Sequence, residues 1–66
     1  MNVFFNGESI QIVEKNLSQL LEKQELLNKT GIAVAVNSAV VPKSQWTNFV
    51  LKEADLILVI TAAAGG

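Results

Sequence analysis

The chain opens with an alternating pattern of apolar and polar residues that reverses at an asparagine-glycine pair. In residues 1–5, apolar side chains at alternate positions fall on one face of a strand. Asn6-Gly7 follows, and this pair readily takes the positive φ angles of a two-residue type I′ turn. We therefore expect a β-hairpin whose second strand runs from Ser9 to Val13. The residues expected on its inner face are Met1, Val3, Phe5, Ile10 and Ile12.

The next segment has the spacing of an amphipathic helix, with apolar residues at intervals of three, four and seven. Asn16 is suited to cap the first turn, and Gln19, three residues later, is placed for a capping box. One helix is expected from Leu17 to about Asn28. Its apolar stripe consists of Leu17, Leu20, Leu21 and Leu27.

The second half of the chain predicts further strands around an irregular segment. Ile32 to Val36 alternates branched residues with alanine, Asn37-Ser38 offers a turn, and Val40-Val41 is a short strand that Pro42 ends. Lys43 to Leu51 is expected to be irregular or briefly helical. Within it, Trp46 is expected to close one end of the core, because tryptophan contributes a large buried area.

The last predicted strand, Leu56 to Ile60, is apolar at every position, which is typical of a central strand with both faces engaged. One face belongs to the core, and a chain this short offers no second layer for the other face. With Ile57 and Val59 facing inward, Phe4, Leu58 and Ile60 face outward and form a candidate docking patch for a partner. The opposite register stays open, since a fully apolar strand does not define its own orientation.

Small residues follow that strand, from Ala62 to Gly66, and we expect an exposed tail there. The tail presents one functional group, the α-carboxylate of Gly66, which is ionised at neutral pH because the usual pKa of such a group is about 3.3 to 3.7. A tail without bulky side chains could enter a narrow channel in another protein. A frayed end is the alternative interpretation.

Composition narrows the possible functions. The 66 residues predict a single domain, 1–66, with a tail at 62–66, and they include no histidine, cysteine, tyrosine or arginine. We therefore expect no catalytic site, no metal site and no cofactor bound by this chain. A net charge of −1 and five scattered lysines give no basic stripe for nucleic acid. Without a leader or a long apolar segment, we expect no membrane association and a cytoplasmic location.

The order of elements resembles the α+β, ubiquitin-like β-grasp fold, a mixed sheet of four to five strands packed on one helix. Within that superfamily the whole chain resembles the ThiS family of sulfur carriers of thiamine biosynthesis. The resemblance rests on Phe5-Asn6-Gly7, on AVAVNSAVVPKSQW from Ala33 to Trp46, on DLILVI after an acidic turn, and on Gly65-Gly66. One departure is Ala54, where the family often has glycine. Either the turn there avoids positive φ, or the alanine carries strain.

This resemblance implies a role for the tail. A ThiF-type adenylyltransferase, using its own ATP and Mg²⁺, would join Gly66 to AMP, with Gly65 and Ala64 threaded into its active site. Sulfur from a persulfide donor would replace AMP and leave a thiocarboxylate. A thiazole synthase of the ThiG type would then take the sulfur for the thiazole ring.

Three other functions stay open at this point. A molybdopterin-type sulfur carrier shares the mechanism, and a ubiquitin-like modifier shares the terminal Gly-Gly. A small β-grasp module that only binds, for instance to RNA, is a further class, although the acidic balance and the lack of arginine count against it.

Overall fold

A computed structural model describes residues 1–61 of the chain. These residues form five strands, one α-helix and one 3₁₀ helix. The strands are β1 (Asn2–Phe5), β2 (Glu8–Gln11), β3 (Ile32–Val36), β4 (Ala39–Val40) and β5 (Leu56–Thr61). The helix α1 spans Leu17–Lys23, and the 3₁₀ helix spans Lys43–Asn48.

The strands form one mixed sheet in the order β2-β1-β5-β3-β4. The central strand β5 runs parallel to β1 and antiparallel to β3, and both outer pairs are antiparallel hairpins. A crossover that contains α1 lies between the two hairpins. This arrangement confirms the predicted β-grasp fold and the central position of the all-apolar strand.

Both hairpins close with two consecutive residues of positive φ, as type I′ turns do. Asn6 and Gly7 have φ of 50° and 86°, and Asn37 and Ser38 have φ of 53° and 72°. The predicted bounds of four of the five strands differ from the observed bounds by one or two residues. The second strand ends at Gln11 rather than Val13, and the fourth is Ala39–Val40 rather than Val40-Val41.

The core lies between α1 and the inner face of the sheet. The side chains of Leu17, Leu20 and Leu21 are fully buried, as the predicted stripe requires. Its fourth predicted member, Leu27, lies beyond the end of the helix and is only partly buried. Trp46 is also buried, and its Nε1 donates a hydrogen bond to the carbonyl oxygen of Val41 over 2.9 Å. The predicted role of this tryptophan in closing the core is therefore confirmed. The other buried apolar residues are Val3, Ile12, Val34, Val36, Val41, Leu51 and Ile57.

The helix begins as predicted and ends earlier than predicted. Asn16 Oδ1 accepts a hydrogen bond from the Gln19 backbone N–H over 2.8 Å, and Gln19 Oε1 accepts one from the Lys15 backbone N–H over 3.2 Å. The expected extension to Asn28 is wrong, because Glu25 takes a left-handed φ of 62° directly after the last turn.

Two hydrogen bonds close the helix around this residue. The Glu25 N–H donates to the Glu22 carbonyl, and the Leu26 N–H donates to the Leu21 carbonyl. These are the two bonds of a Schellman motif, with glutamate where glycine is usual. Leu26 consequently packs against the core from outside the helix.

No helix within residues 1–61 combines the length and the apolar character needed to cross a membrane.

Candidate docking face

The outward side of the sheet is apolar across its three central strands. Phe4 on β1 is 40% exposed, and Leu58 and Ile60 on β5 are 49% and 53% exposed. Their neighbours of opposite parity, Val3 and Ile57, are buried against the helix. The alternation argument therefore gave the orientation that the structure has, while the docking role of this surface stays a prediction.

Strand register determines which outward side chains are neighbours. Phe4 pairs with Leu56 across the parallel β1–β5 ladder, and Leu58 and Ile60 pair with Ala35 and Ala33 of β3. A depression of about 310 Å³ lies beside the small side chain of Ala35 and is also lined by Phe4, Leu56 and Leu58. We define the outer face by its large members: Phe4, Val40, Leu56, Leu58 and Ile60.

Two members of this outer face were missed by the sequence analysis. Leu56 is 54% exposed, and its parity with Leu58 was a signal that could have identified it. Val40 is 72% exposed and joins the face because it pairs with Ala35. That pairing depends on the register of the second hairpin, which the sequence did not specify. The outer face therefore extends over β1, β5, β3 and β4.

The beginning of β5 is fixed by a polar contact between two loops. Asp55, which is buried, accepts hydrogen bonds from Asn37 Nδ2 over 2.9 Å and from the Lys52 backbone N–H over 2.8 Å. Asn37 Oδ1 in turn accepts a bond from the Leu56 backbone N–H over 2.9 Å. A buried carboxylate needs such partners, because leaving it unpaired is costly.

Ala54, directly before this contact, has a φ of 69°. Of the two alternatives left open by the sequence, the structure shows the strained one, since the left-handed region is unfavourable for a residue with a Cβ. The Ala54 N–H donates to the Asn2 carbonyl over 2.7 Å. The strained turn is thus held against the first strand.

Towards its end, β5 is held by a side chain of the first hairpin turn. Asn6 donates its backbone N–H to the Ile57 carbonyl over 2.9 Å, and its Oδ1 accepts a bond from the Val59 N–H over 2.8 Å. On the opposite edge, β5 pairs with β3 as far as Thr61. The end of β5 is therefore held at Val59 from the β1 side and paired up to Thr61 on the β3 side.

The predicted sulfur-transfer residues Ala64, Gly65 and Gly66 lie outside the described residues, and their roles stay predictions. Within residues 1–61, no three side chains among histidine, cysteine, aspartate and glutamate are grouped to hold a metal ion. The candidate site is thus the outer face and the strand that leads from it towards residue 66.

A β-grasp sheet whose central strand carries an apolar open face and leads into a Gly-Gly sequence defines the class of ubiquitin-like β-grasp proteins. The comparisons with known proteins specify the family. The sequence model of the ThiS family matches residues 3–66, and this chain belongs to that family.

Similar proteins and solved structures support this family assignment. The chain is 31% identical over 67 residues to the sulfur carrier protein ThiS of Escherichia coli K12, and the alignment covers both proteins completely. Its fold is similar to a crystal structure of the thiamine biosynthesis protein ThiS from Geobacter metallireducens, with a TM-score of 0.85, 20% identity and full coverage of both chains. An NMR structure of a thiamine biosynthesis protein from that organism gives a TM-score of 0.76 at 22% identity, covering 100% of this chain and 88% of the other.

Proposed function

We propose that this chain is a sulfur carrier of thiamine biosynthesis, and that the carboxylate of Gly66 carries the sulfur. The observation that supports this proposal most strongly is the match to the ThiS family, which extends from residue 3 to residue 66 and so includes Gly65-Gly66. The full-length similarity to the E. coli sulfur carrier supports the same function.

The chemistry requires activation of Gly66 by another protein. A carboxylate is a poor electrophile, because resonance and its negative charge both resist attack by a nucleophile. A ThiF-type adenylyltransferase would bind ATP and Mg²⁺, form the acyl adenylate at Gly66, and release pyrophosphate. With no histidine, cysteine or arginine in the chain, we assign the catalytic groups to this partner.

The sulfur enters in the next step. The terminal sulfur of a persulfide donor attacks the acyl carbon of Gly66, and AMP leaves as its bond to that carbon breaks. Two equivalents of a thiol reductant then reduce the resulting acyl disulfide and are themselves oxidised to a disulfide, which leaves a thiocarboxylate at Gly66 and returns the donor as a free thiol. A ThiG-type thiazole synthase would then accept the sulfur for the thiazole ring, so that the sulfur stays covalently bound until its use.

We assign partner docking to the outer face. Its central members, Leu56, Leu58 and Ile60, lie on the strand that leads directly to residues 62–66. An enzyme that takes Gly66 into its active site must lie close to the end of β5. Apolar side chains about half exposed gain free energy when a partner covers them, at about 25 cal/mol per Å² of apolar surface.

Intact mass spectrometry tests this proposal. The purified chain is incubated with a ThiF-type adenylyltransferase, ATP, Mg²⁺, a persulfide donor and a thiol reductant, with a reaction without ATP as control. We expect the mass to rise by the difference between a sulfur and an oxygen atom, only when ATP is present. Isopeptide conjugates to lysines of other proteins would instead identify a ubiquitin-like modifier. A chain that forms the thiocarboxylate but supplies sulfur only to molybdopterin synthesis would contradict the thiazole assignment.

A further inference from the structure

We propose that Asn6 is a positioning residue for the activation of Gly66, acting through the end of β5. This inference rests on the proposed function. It starts from the two bonds of Asn6, whose backbone N–H donates to the Ile57 carbonyl and whose side-chain Oδ1 accepts from the Val59 N–H. Both partners lie on β5.

The side chain extends the parallel ladder by one step beyond the end of β1. The first strand ends at Phe5, and at Asn6 the backbone turns away with a positive φ of 50°. If β1 continued as a strand, the backbone carbonyl of its next residue, Asn6, would accept the Val59 N–H. Because the backbone turns away, that carbonyl does not take this place. Asn6 Oδ1 takes its place at 2.8 Å, so the side chain performs the task of a backbone carbonyl.

The position of this bond links it to the tail. Within the described residues, Val59 is followed in β5 by Ile60 and Thr61, and the sequence continues to Gly66. The opposite edge of β5 is paired with β3 up to Thr61. Among residues 1–61, Asn6 supplies the last hydrogen bond to β5 on the β1 side, so it restricts how far the end of β5 can twist or separate from the sheet.

This contact affects presentation of the tail more than folding. The bond is solvent-exposed, so water can replace it at the Val59 amide when the side chain is removed. Neither Asn6 nor Val59 belongs to the outer face, which should govern binding of the partner. Loss of the contact should therefore slow the reaction of Gly66 inside the docked complex and leave docking unchanged.

Two substitutions at one position separate the contact from the turn. Asn6→Gly keeps the positive φ of the type I′ turn and removes the acceptor, whereas Asn6→Asp tolerates that φ and retains an oxygen acceptor. Adenylation is measured as ATP-dependent pyrophosphate release by a ThiF-type adenylyltransferase over a range of carrier concentrations. We expect Asn6→Gly to lower kcat roughly three- to tenfold at unchanged KM, the factor that corresponds to one exposed hydrogen bond. Asn6→Asp should restore kcat.

A measurement on the free protein checks the structural half of the proposal. Amide hydrogen exchange followed by NMR should accelerate at Val59 in Asn6→Gly and stay slow at the core amide of Val34. Unchanged kcat, equal losses in both variants, a rise in KM alone, or unchanged exchange at Val59 would each overturn the inference. If the wild-type chain is not adenylated at all, the proposed function itself fails, and this inference fails with it.

Discussion

Asn37 Nδ2 lies 2.9 Å from Oδ1 of Asp55, and this bond connects the turn of the second hairpin to the beginning of the central strand. The two residues are 18 positions apart, and they also satisfy the backbone N–H groups of Leu56 and Lys52. Both the inner and the outer face of β5 depend on where that strand begins. The contact therefore fixes the register that exposes the outer face.

Removing this contact should destabilise the fold. In Asn37→Gly the turn keeps its positive φ, but Asp55 loses one of its donors and the Leu56 amide loses its acceptor. We expect the free energy of unfolding in urea to fall by about 1–3 kcal/mol. Ser38→Gly, which changes the neighbouring turn position without touching Asp55, is the matched control. Equal stability of the two variants would show that the contact contributes nothing.

Relieving the strain at Ala54 should have the opposite effect. The left-handed conformation costs about 1–2 kcal/mol for a residue with a Cβ, and glycine at this position avoids that cost. Part of the resulting gain in stability is offset, because glycine has greater backbone freedom in the unfolded chain. We expect Ala54→Gly to raise the free energy of unfolding by about 0.5–1 kcal/mol. Ala35→Gly, in the extended strand β3, should lower it. If both changes destabilise the protein equally, the strain is absent in solution.

Trp46 should report on the core by fluorescence. Because the indole is buried, its emission in the native protein should be blue-shifted relative to the emission in urea. Trp46→Phe removes the donor to the Val41 carbonyl and leaves unfilled volume, which should cost about 1–4 kcal/mol of stability. Native emission like that of the unfolded chain, or a neutral substitution, would contradict the packing described for this residue.

A charge on the outer face should weaken the interaction with the activating enzyme. Leu58 is half exposed, so Leu58→Glu should be tolerated by the fold, while a buried unpaired charge in the complex is costly. We expect the KM of the carrier for adenylation to rise by at least about tenfold. Val13→Glu changes a residue that is 86% exposed outside the sheet, and it should leave KM unaltered. An unchanged KM in Leu58→Glu would exclude the outer face from docking.

The sequence predicted the features that depend on neighbouring residues. Alternation, the Asn6-Gly7 pair and the leucine stripe gave the strands, the first turn and the start of the helix, because each depends on short-range geometry. The end of the helix was wrong because Glu25 adopts a conformation for which glycine is the usual signal. The length of a helix is thus harder to predict than its beginning.

Long-range contacts were not predictable in this way. The link between Asn37 and Asp55 and the bond from Val59 to Asn6 join residues that meet only in the folded sheet. The extension of the outer face to Val40 likewise required the register of β3 and β4. The exposure of Leu58, by contrast, was predictable from the sequence. Side chains alternate between the two faces along a strand, and Ile57 was assumed to face inward.

The most direct test of the central claim is the location of the sulfur after activation. The last lysine of the chain is Lys52, so trypsin releases residues 53–66 as one peptide. Its mass can be measured before and after the reaction with adenylyltransferase, ATP, Mg²⁺, persulfide donor and a thiol reductant. We expect one oxygen of this peptide to be replaced by sulfur, and we expect fragmentation to place the exchange at Gly66. A variant lacking Gly66 should fold normally and acquire no sulfur. Sulfur found elsewhere in the chain, or sulfur transfer to a chain that lacks Gly66, would contradict the proposed function.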